Sequence, residues 1–67
     1  MSRGREREPL VSLAKVAAYL GLPPATLHQW RYRGVGPVSY RVGRHVRYRM
    51  SEVDRWLETQ ADRKPST

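Results

Sequence analysis

Most side chains between Pro24 and Gly34 can form hydrogen bonds. If Leu27 and Trp30 face the protein interior, the helical period places six residues on or beside the opposite face. Those six residues are Ala25, Thr26, His28, Gln29, Tyr32 and Arg33. The Gln29 amide can pair with adenine. Ala25 and Thr26 can touch a thymine methyl group or a phosphate, and Tyr32 and Arg33 are better placed to contact the DNA backbone. For His28 and Gln29 an ordinary solvated helix face is an equally good interpretation.

A second set of cationic residues follows Pro37, where apolar and polar residues alternate. Its members are Arg41, Arg44, His45, Arg47 and Arg49. Arg44 and His45 lie at the predicted tip of a hairpin and can enter a minor groove, where narrow A·T tracts attract cations. The other three can clamp phosphates, or they can simply protect an edge strand from aggregation. The simpler interpretation of Arg44 and His45 is that they keep the tip soluble.

The composition of the chain favours a polyanionic partner. Its 67 residues suffice for one domain, and 13 Lys and Arg against 6 Asp and Glu give a net charge of +7. Such an excess attracts nucleic acid more readily than a small acidic molecule. Cysteine is absent and only two histidines occur, so we expect no disulfide, no metal and no cofactor.

The sequence also argues against catalysis and against a membrane. It has no G-x-S-x-G motif, no P-loop and no carboxylate pair in an apolar setting, so we expect no catalytic residues. Its apolar runs are much shorter than a membrane span, and no signal peptide is recognisable. These observations predict a non-enzymatic protein in the cytoplasm of a bacterial host.

Two other partners remain as rival interpretations. Tyrosines can stack on the bases of single-stranded nucleic acid, but the alternation favours core positions for Tyr40 and Tyr48. An adaptor that binds only protein can present Arg55, Glu58 and Asp62 from the last helix and the tails. That second interpretation leaves the basic hairpin unexplained.

Two short helices must position the first set of residues. The first helix is predicted to begin at Ser12, a good N-cap, because apolar residues then recur at i, i+3, i+4 and i+7. Gly21 is expected to end it. Pro24 suits the first position of the second helix, which Gly34 is expected to close.

Two half-buried strands are predicted to carry the second set. A three-residue loop over 43–45 matches apolar residues across the hairpin, whereas a two-residue turn over 43–44 sets apolar against polar. The expected pairs are Val42 with Val46, Tyr40 with Tyr48 and Val38 with Met50. The outer face would then carry Ser39, Arg41, Arg47 and Arg49.

The last helix is predicted to run from an N-cap at Ser51, with Asp54 completing a capping box, to about Ala61. Its expected buried stripe consists of Val53, Trp56 and Leu57.

The order helix, turn, helix, hairpin, helix predicts an α+β, mainly helical, winged helix-turn-helix with a two-stranded wing. Trp30 and Trp56 are expected to fill its core. We assign this DNA-binding domain to residues 10–61. Residues 1–9 are expected to form a flexible arm of mixed charge, and residues 62–67 a flexible tail.

Five segments of the chain resemble the small excisionases, or recombination directionality factors, of temperate phages and integrative elements. The winged helix-turn-helix of that group is related to the MerR DNA-binding domain. The similar segments are residues 13–21, 26–31, 34–37, 41–48 and 51–57. Two positions depart from the family: Lys15 replaces a usual acidic residue, and Pro23 replaces a Ser or Thr, which removes a side-chain cap and a phosphate contact.

The resemblance implies a sequence-specific, DNA-bending accessory protein. It would bind the arm of an attachment site, in several copies on repeated sites, and help an integrase of the tyrosine type to excise a prophage or integrative element. The alternative is a small transcriptional regulator of a phage or mobile element with the same fold.

Overall fold

The computed structural model describes residues 8–62. These residues form three helices and a three-stranded antiparallel sheet with the order β1, β3, β2. The elements along the chain are β1 (Leu10–Ser12), α1 (Leu13–Leu20), α2 (Pro24–Arg33), β2 (Tyr40–Val42), β3 (His45–Arg49) and α3 (Met50–Thr59). The predicted α+β winged helix-turn-helix is confirmed. The predicted arm and tail, residues 1–9 and 62–67, lie almost wholly outside the described residues and stay predictions.

The ends of the first two helices follow from local chemistry. The Ser12 hydroxyl accepts a hydrogen bond of 3.1 Å from the Lys15 backbone N–H, so Ser12 is the N-cap of α1. Both helices end at a left-handed glycine, Gly21 for α1 and Gly34 for α2. Pro24 opens α2, where no intrahelical partner exists for a backbone N–H. All four predicted boundaries are confirmed.

The first strand is an element that the sequence analysis missed: the predicted two-stranded hairpin is present, and β1 adds a third strand to its sheet. β1 pairs with β3 along its whole length, with Val11 opposite Tyr48. Three residues are too few to show an alternating pattern. The strand forms by pairing with β3, which lies far along the chain. β3 is therefore the central strand, with a neighbour on each side.

The predicted hairpin register is also wrong. The turn has two residues, Gly43 and Arg44, and Val42 lies opposite His45. β2 is a short and mostly exposed edge strand, so burial specifies its register only weakly and the turn decides it. Gly43 has a φ of 65° at the first turn position, which glycine adopts without steric strain.

The observed register changes which side chains share a face. Tyr40 lies opposite Arg47, so it occupies the outer face and not the core position predicted for it. Arg41 lies opposite Val46 and therefore shares the face that carries the buried Tyr48, not the face of Arg47. Val38 and Met50 do not pair, because β2 starts after Val38 and Met50 already belongs to α3.

The N-cap of α3 lies two residues earlier than predicted, and the predicted capping box is absent. Arg49 is the N-cap and makes no side-chain hydrogen bond. The carboxylate of Glu8 instead accepts bonds from the Ser51 backbone N–H (3.1 Å) and hydroxyl (2.5 Å). Asp54 accepts a 2.6 Å bond from the Tyr19 hydroxyl, which ties α3 to α1. A residue distant in sequence thus replaces the local cap, and the helix ends at Thr59, short of the predicted Ala61.

The core lies between the helices and the inner face of the sheet. Its buried members are Leu13, Val16, Ala17, Leu27, Tyr48 and Val53. Trp30 and Trp56 are half-buried beside it and pack against each other, with ring centroids 5.3 Å apart. Leu57 is 40% exposed, contrary to its predicted burial. None of the helices within residues 8–62 is long and apolar enough to cross a membrane.

Candidate nucleic-acid interface

α2 presents one polar face to solvent. Of the six residues predicted there, Ala25, His28, Gln29, Tyr32 and Arg33 are exposed and Thr26 is half-buried. Tyr32 is 91% exposed, which is unusual for an aromatic side chain. The opposite face is anchored by Leu27, which is fully buried. The helical period therefore predicted which side chains this helix displays, whereas their binding roles stay predictions.

Trp30 and Gly36 fix the position of α2 relative to the wing. The backbone at Gly36 packs against the Trp30 indole so closely that a Cβ on Gly36 would lie 2.8 Å from Trp30 Cε3. The ring of Trp56, from α3, also packs against the Trp30 indole at a tilt. α2 is thus held between the connector that follows it and the last helix, and its polar face is displayed from a fixed body.

The N-terminus of α2 has no side-chain cap. Pro23 occupies the N-cap position and makes no side-chain hydrogen bond, as the departure at this position predicts. The Thr26 backbone N–H donates to the Pro23 carbonyl at 3.0 Å. Pro23 and Pro24 have no backbone N–H, so the Ala25 N–H is the donor that the first turn has left for an anion at this helix end, which favours negative charge.

The tip of the wing carries exposed cations. Arg44 lies in the two-residue turn, and His45 is the first residue of β3 rather than part of the loop. Arg41 is also exposed, on the opposite face of the hairpin from Arg47. Arg47 is half-buried, and its Nη1 donates to the Val46 carbonyl at 2.9 Å. The structure therefore gathers Arg41, Arg44 and His45 at the tip but on different faces.

Arg49 is half-buried and contacts other residues of the protein. Its guanidinium lies over the Tyr40 ring at 5.1 Å from the centroid, and its Nε is buried with no hydrogen-bond partner among residues 8–62. The Tyr40 hydroxyl donates to the Glu52 carboxylate at 2.8 and 3.0 Å, and this bond is the main reason that the pKa of Tyr40 is raised. The positive charge of Arg49 also helps to lower the pKa of Glu8. Of the five predicted wing residues, Arg49 is the one with the clearest structural partners.

The sequence analysis overlooked Arg31. Its Nε donates a partly buried 3.1 Å hydrogen bond to the Ser39 hydroxyl, which joins the last turn of α2 to the residue before β2. Arg31 lies next to the inward face of α2, so the helical period assigned it neither to the core nor to the polar face. No local sequence pattern links it to Ser39.

Two shallow clefts of 230 and 250 Å³ adjoin Trp56, and Trp30 of α2 lines the first of them. Gln60 and Arg55 contribute to their walls. In the part of the chain that the structure describes, His, Asp and Glu side chains do not gather in a group of three that could hold a metal ion.

The family described as helix-turn-helix domain matches residues 10–61. No curated protein shows a significant match to the chain.

Proposed function

The chain belongs to the helix-turn-helix domain family, and from this premise we propose that it is a sequence-specific, DNA-bending accessory factor for excisive recombination. Membership of the family supports sequence-specific DNA binding by a small protein, and members of the family are typically non-enzymatic. The proposed partner is double-stranded DNA at the arm of an attachment site.

The polar face of α2 is the observation that carries the proposal. It combines an exposed amide, an imidazole and a tyrosine on a helix whose other face is buried. We propose that Gln29 and His28 read base edges in the major groove, as the second helix of a helix-turn-helix does. Thr26 and Ala25 would lie against a thymine methyl group or a phosphate, and Tyr32 and Arg33 against the backbone.

The wing is proposed to contact DNA beside that groove. Arg44 and His45 would enter the adjacent minor groove from the tip, and Arg41 and Arg47 would bind phosphates. Arg49, which stacks on Tyr40, would act on DNA mainly by holding the strand that carries Arg47.

The role in excision is supported by the resemblance of five segments to small excisionases. Bending a site of 20 to 30 base pairs by 40 to 90° costs of order 1 to 6 kcal/mol, so tandem copies that share contacts would distribute that cost. We propose several copies on repeated sites, acting beside an integrase of the tyrosine type. We propose that the abundance of the protein sets the direction of recombination.

DNA binding is tested first, with a duplex that the wild-type protein selects from a random pool. Arg44→Ala should weaken binding and reduce the slope of log K against log salt by roughly 0.9, the loss of one charge that lines the groove. Arg55→Ala removes an exposed arginine of α3 and is the matched control, because it changes the net charge equally. Equal slopes for both variants and the wild type would make Arg44 a solvated tip residue.

The recombination role needs purified integrase and both pairs of attachment sites. We expect this protein to form stepwise complexes on arm DNA and to stimulate excision but not integration. Unaltered excision, together with control of a promoter by the same protein, would reject the excision role and favour a transcriptional regulator.

A further inference from the structure

Arg31 lies at the junction of three elements. It belongs to the last turn of α2, it bonds to Ser39 just before β2, and its charge acts on the pKa of Tyr48 in β3, which burial raises and Arg31 partly lowers. Both the hydrogen bond and this electrostatic effect place the guanidinium between the recognition helix and the wing.

The connector between α2 and β2 makes this junction sensitive to Arg31. At one end the backbone of Gly36 is packed against Trp30. At the other end Ser39, the residue before β2, accepts the hydrogen bond from Arg31 of α2. A side chain that holds Ser39 therefore sets where the wing begins relative to the helix.

The chemistry of the guanidinium allows a second contact. Arginine has five N–H donors in a rigid plane, and within residues 8–62 the bond to Ser39 uses the one on Nε. The two terminal amino groups form the edge that binds phosphate oxygens in pairs. Arg31 also follows His28 by three residues, so the two side chains are neighbours on the helix surface.

We propose that Arg31 is a bridging residue, whose Nε holds the wing through Ser39 while its terminal amino groups bind a DNA phosphate between the two elements. This inference rests on the proposed function and adds a contact to the same interface. Because the hydrogen bond already orders the side chain in the free protein, less conformational entropy is lost when the phosphate binds.

The test compares four variants on the duplex selected by the wild type. Arg31→Met removes the charge and should lower affinity about tenfold and reduce the salt slope by roughly 0.9. Ser39→Ala should weaken binding through a misplaced wing and leave the slope unchanged. Arg31→Lys should keep the slope but bind like Ser39→Ala, since lysine lacks the fork that serves two acceptors. Arg55→Met is the matched control and should change neither quantity.

Amide hydrogen exchange without DNA measures the positioning half of the proposal. Arg31→Met and Ser39→Ala should both speed exchange in β2, whereas Arg55→Met should not. If Arg31→Met speeds exchange but retains the wild-type salt slope, Arg31 is only structural and the inference fails. A wild-type protein that binds no duplex would overturn the proposed function as well, so the two failures are distinguishable.

Discussion

At the scale of single residues, two exposed glutamines occupy different surroundings. Gln29 lies on the polar face of α2, whereas Gln60 follows α3 and donates from its Nε2 to the Thr59 hydroxyl. If Gln29 reads a base, Gln29→Ala should cost about 1 to 3 kcal/mol on the selected duplex and almost nothing on a mixed-sequence duplex. Gln60→Ala is the matched control. Isothermal titration with both duplexes measures this difference, and equal losses for Gln29→Ala on both would assign that side chain to the DNA backbone.

Glu8 supplies a prediction about pH. Its pKa is lowered below the ordinary value of 4.5, first by the Ser51 hydroxyl and then by the Ser51 backbone N–H. A carboxylate with a lowered pKa in the folded state contributes stability above the unfolded pKa and loses it as pH falls through the folded value. Ser51→Ala should therefore raise the pKa of Glu8 and reduce the loss of stability in acid below about pH 4.5.

Carbon-detected NMR of the Glu8 carboxyl through an acid titration measures this shift. Ser39→Ala removes a serine hydroxyl that bonds to Arg31 instead, and it serves as the control. An unchanged Glu8 pKa in Ser51→Ala would show that the Ser51 hydroxyl does not bond to the carboxylate in solution.

At the scale of elements, the connector between α2 and β2 depends on Gly36. Its φ is 90°, and an added Cβ would meet the Trp30 ring, whereas Gly43 has a φ of 65° with nothing within 4 Å. Both alanine variants carry backbone strain of about 1 to 2 kcal/mol, and Gly36→Ala adds about 1 to 3 kcal/mol of overpacking. Urea unfolding should therefore rank Gly36→Ala as the less stable variant. Equal losses would mean that the connector moves away from Trp30 at little cost.

The elements that the sequence predicted well are those with local determinants. The ends of α1 and α2 are set by hydrogen bonds or backbone angles within a few residues, at Ser12, Gly21, Pro24 and Gly34. The boundaries of both helices and the polar face of α2 could therefore be predicted. β1 could not, because it exists only through pairing with β3 across most of the chain.

The candidate wing illustrates the same limit. Apolar matching selected the wrong register because Val42 is 49% exposed, so burying it contributes too little to overrule the turn. The wrong register assigned Tyr40 to the core, so its contact with the Arg49 guanidinium could not be predicted. The bond between Arg31 and Ser39 depends on the path of the connector, which no periodic pattern encodes.

At the scale of the whole molecule, α3 is attached by contacts from every part of the domain. Tyr19 of α1 donates to Asp54, Trp30 of α2 packs on Trp56, and Glu8 accepts from Ser51. Such cross-links matter in a small domain, which buries a smaller share of its surface than a large one does. They hold the three helices together, so the side chains proposed to bind DNA from α2 keep fixed positions relative to α3.

The central place of β3 has a consequence for the order of folding. Pairing β2 with β3 closes a two-residue turn, whereas pairing Ser12 of β1 with Arg47 of β3 closes a loop over 13–46, roughly seventeen times longer, at an additional entropic cost of about 2.5 kcal/mol. Val11→Ala, on β1, should therefore mainly accelerate unfolding, whereas Val46→Ala, on β3, should also slow refolding. Stopped-flow kinetics distinguishes these cases, and a slowed refolding of Val11→Ala would place β1 in the nucleus. The strand that braces the wing is then the last to dock and the first to detach.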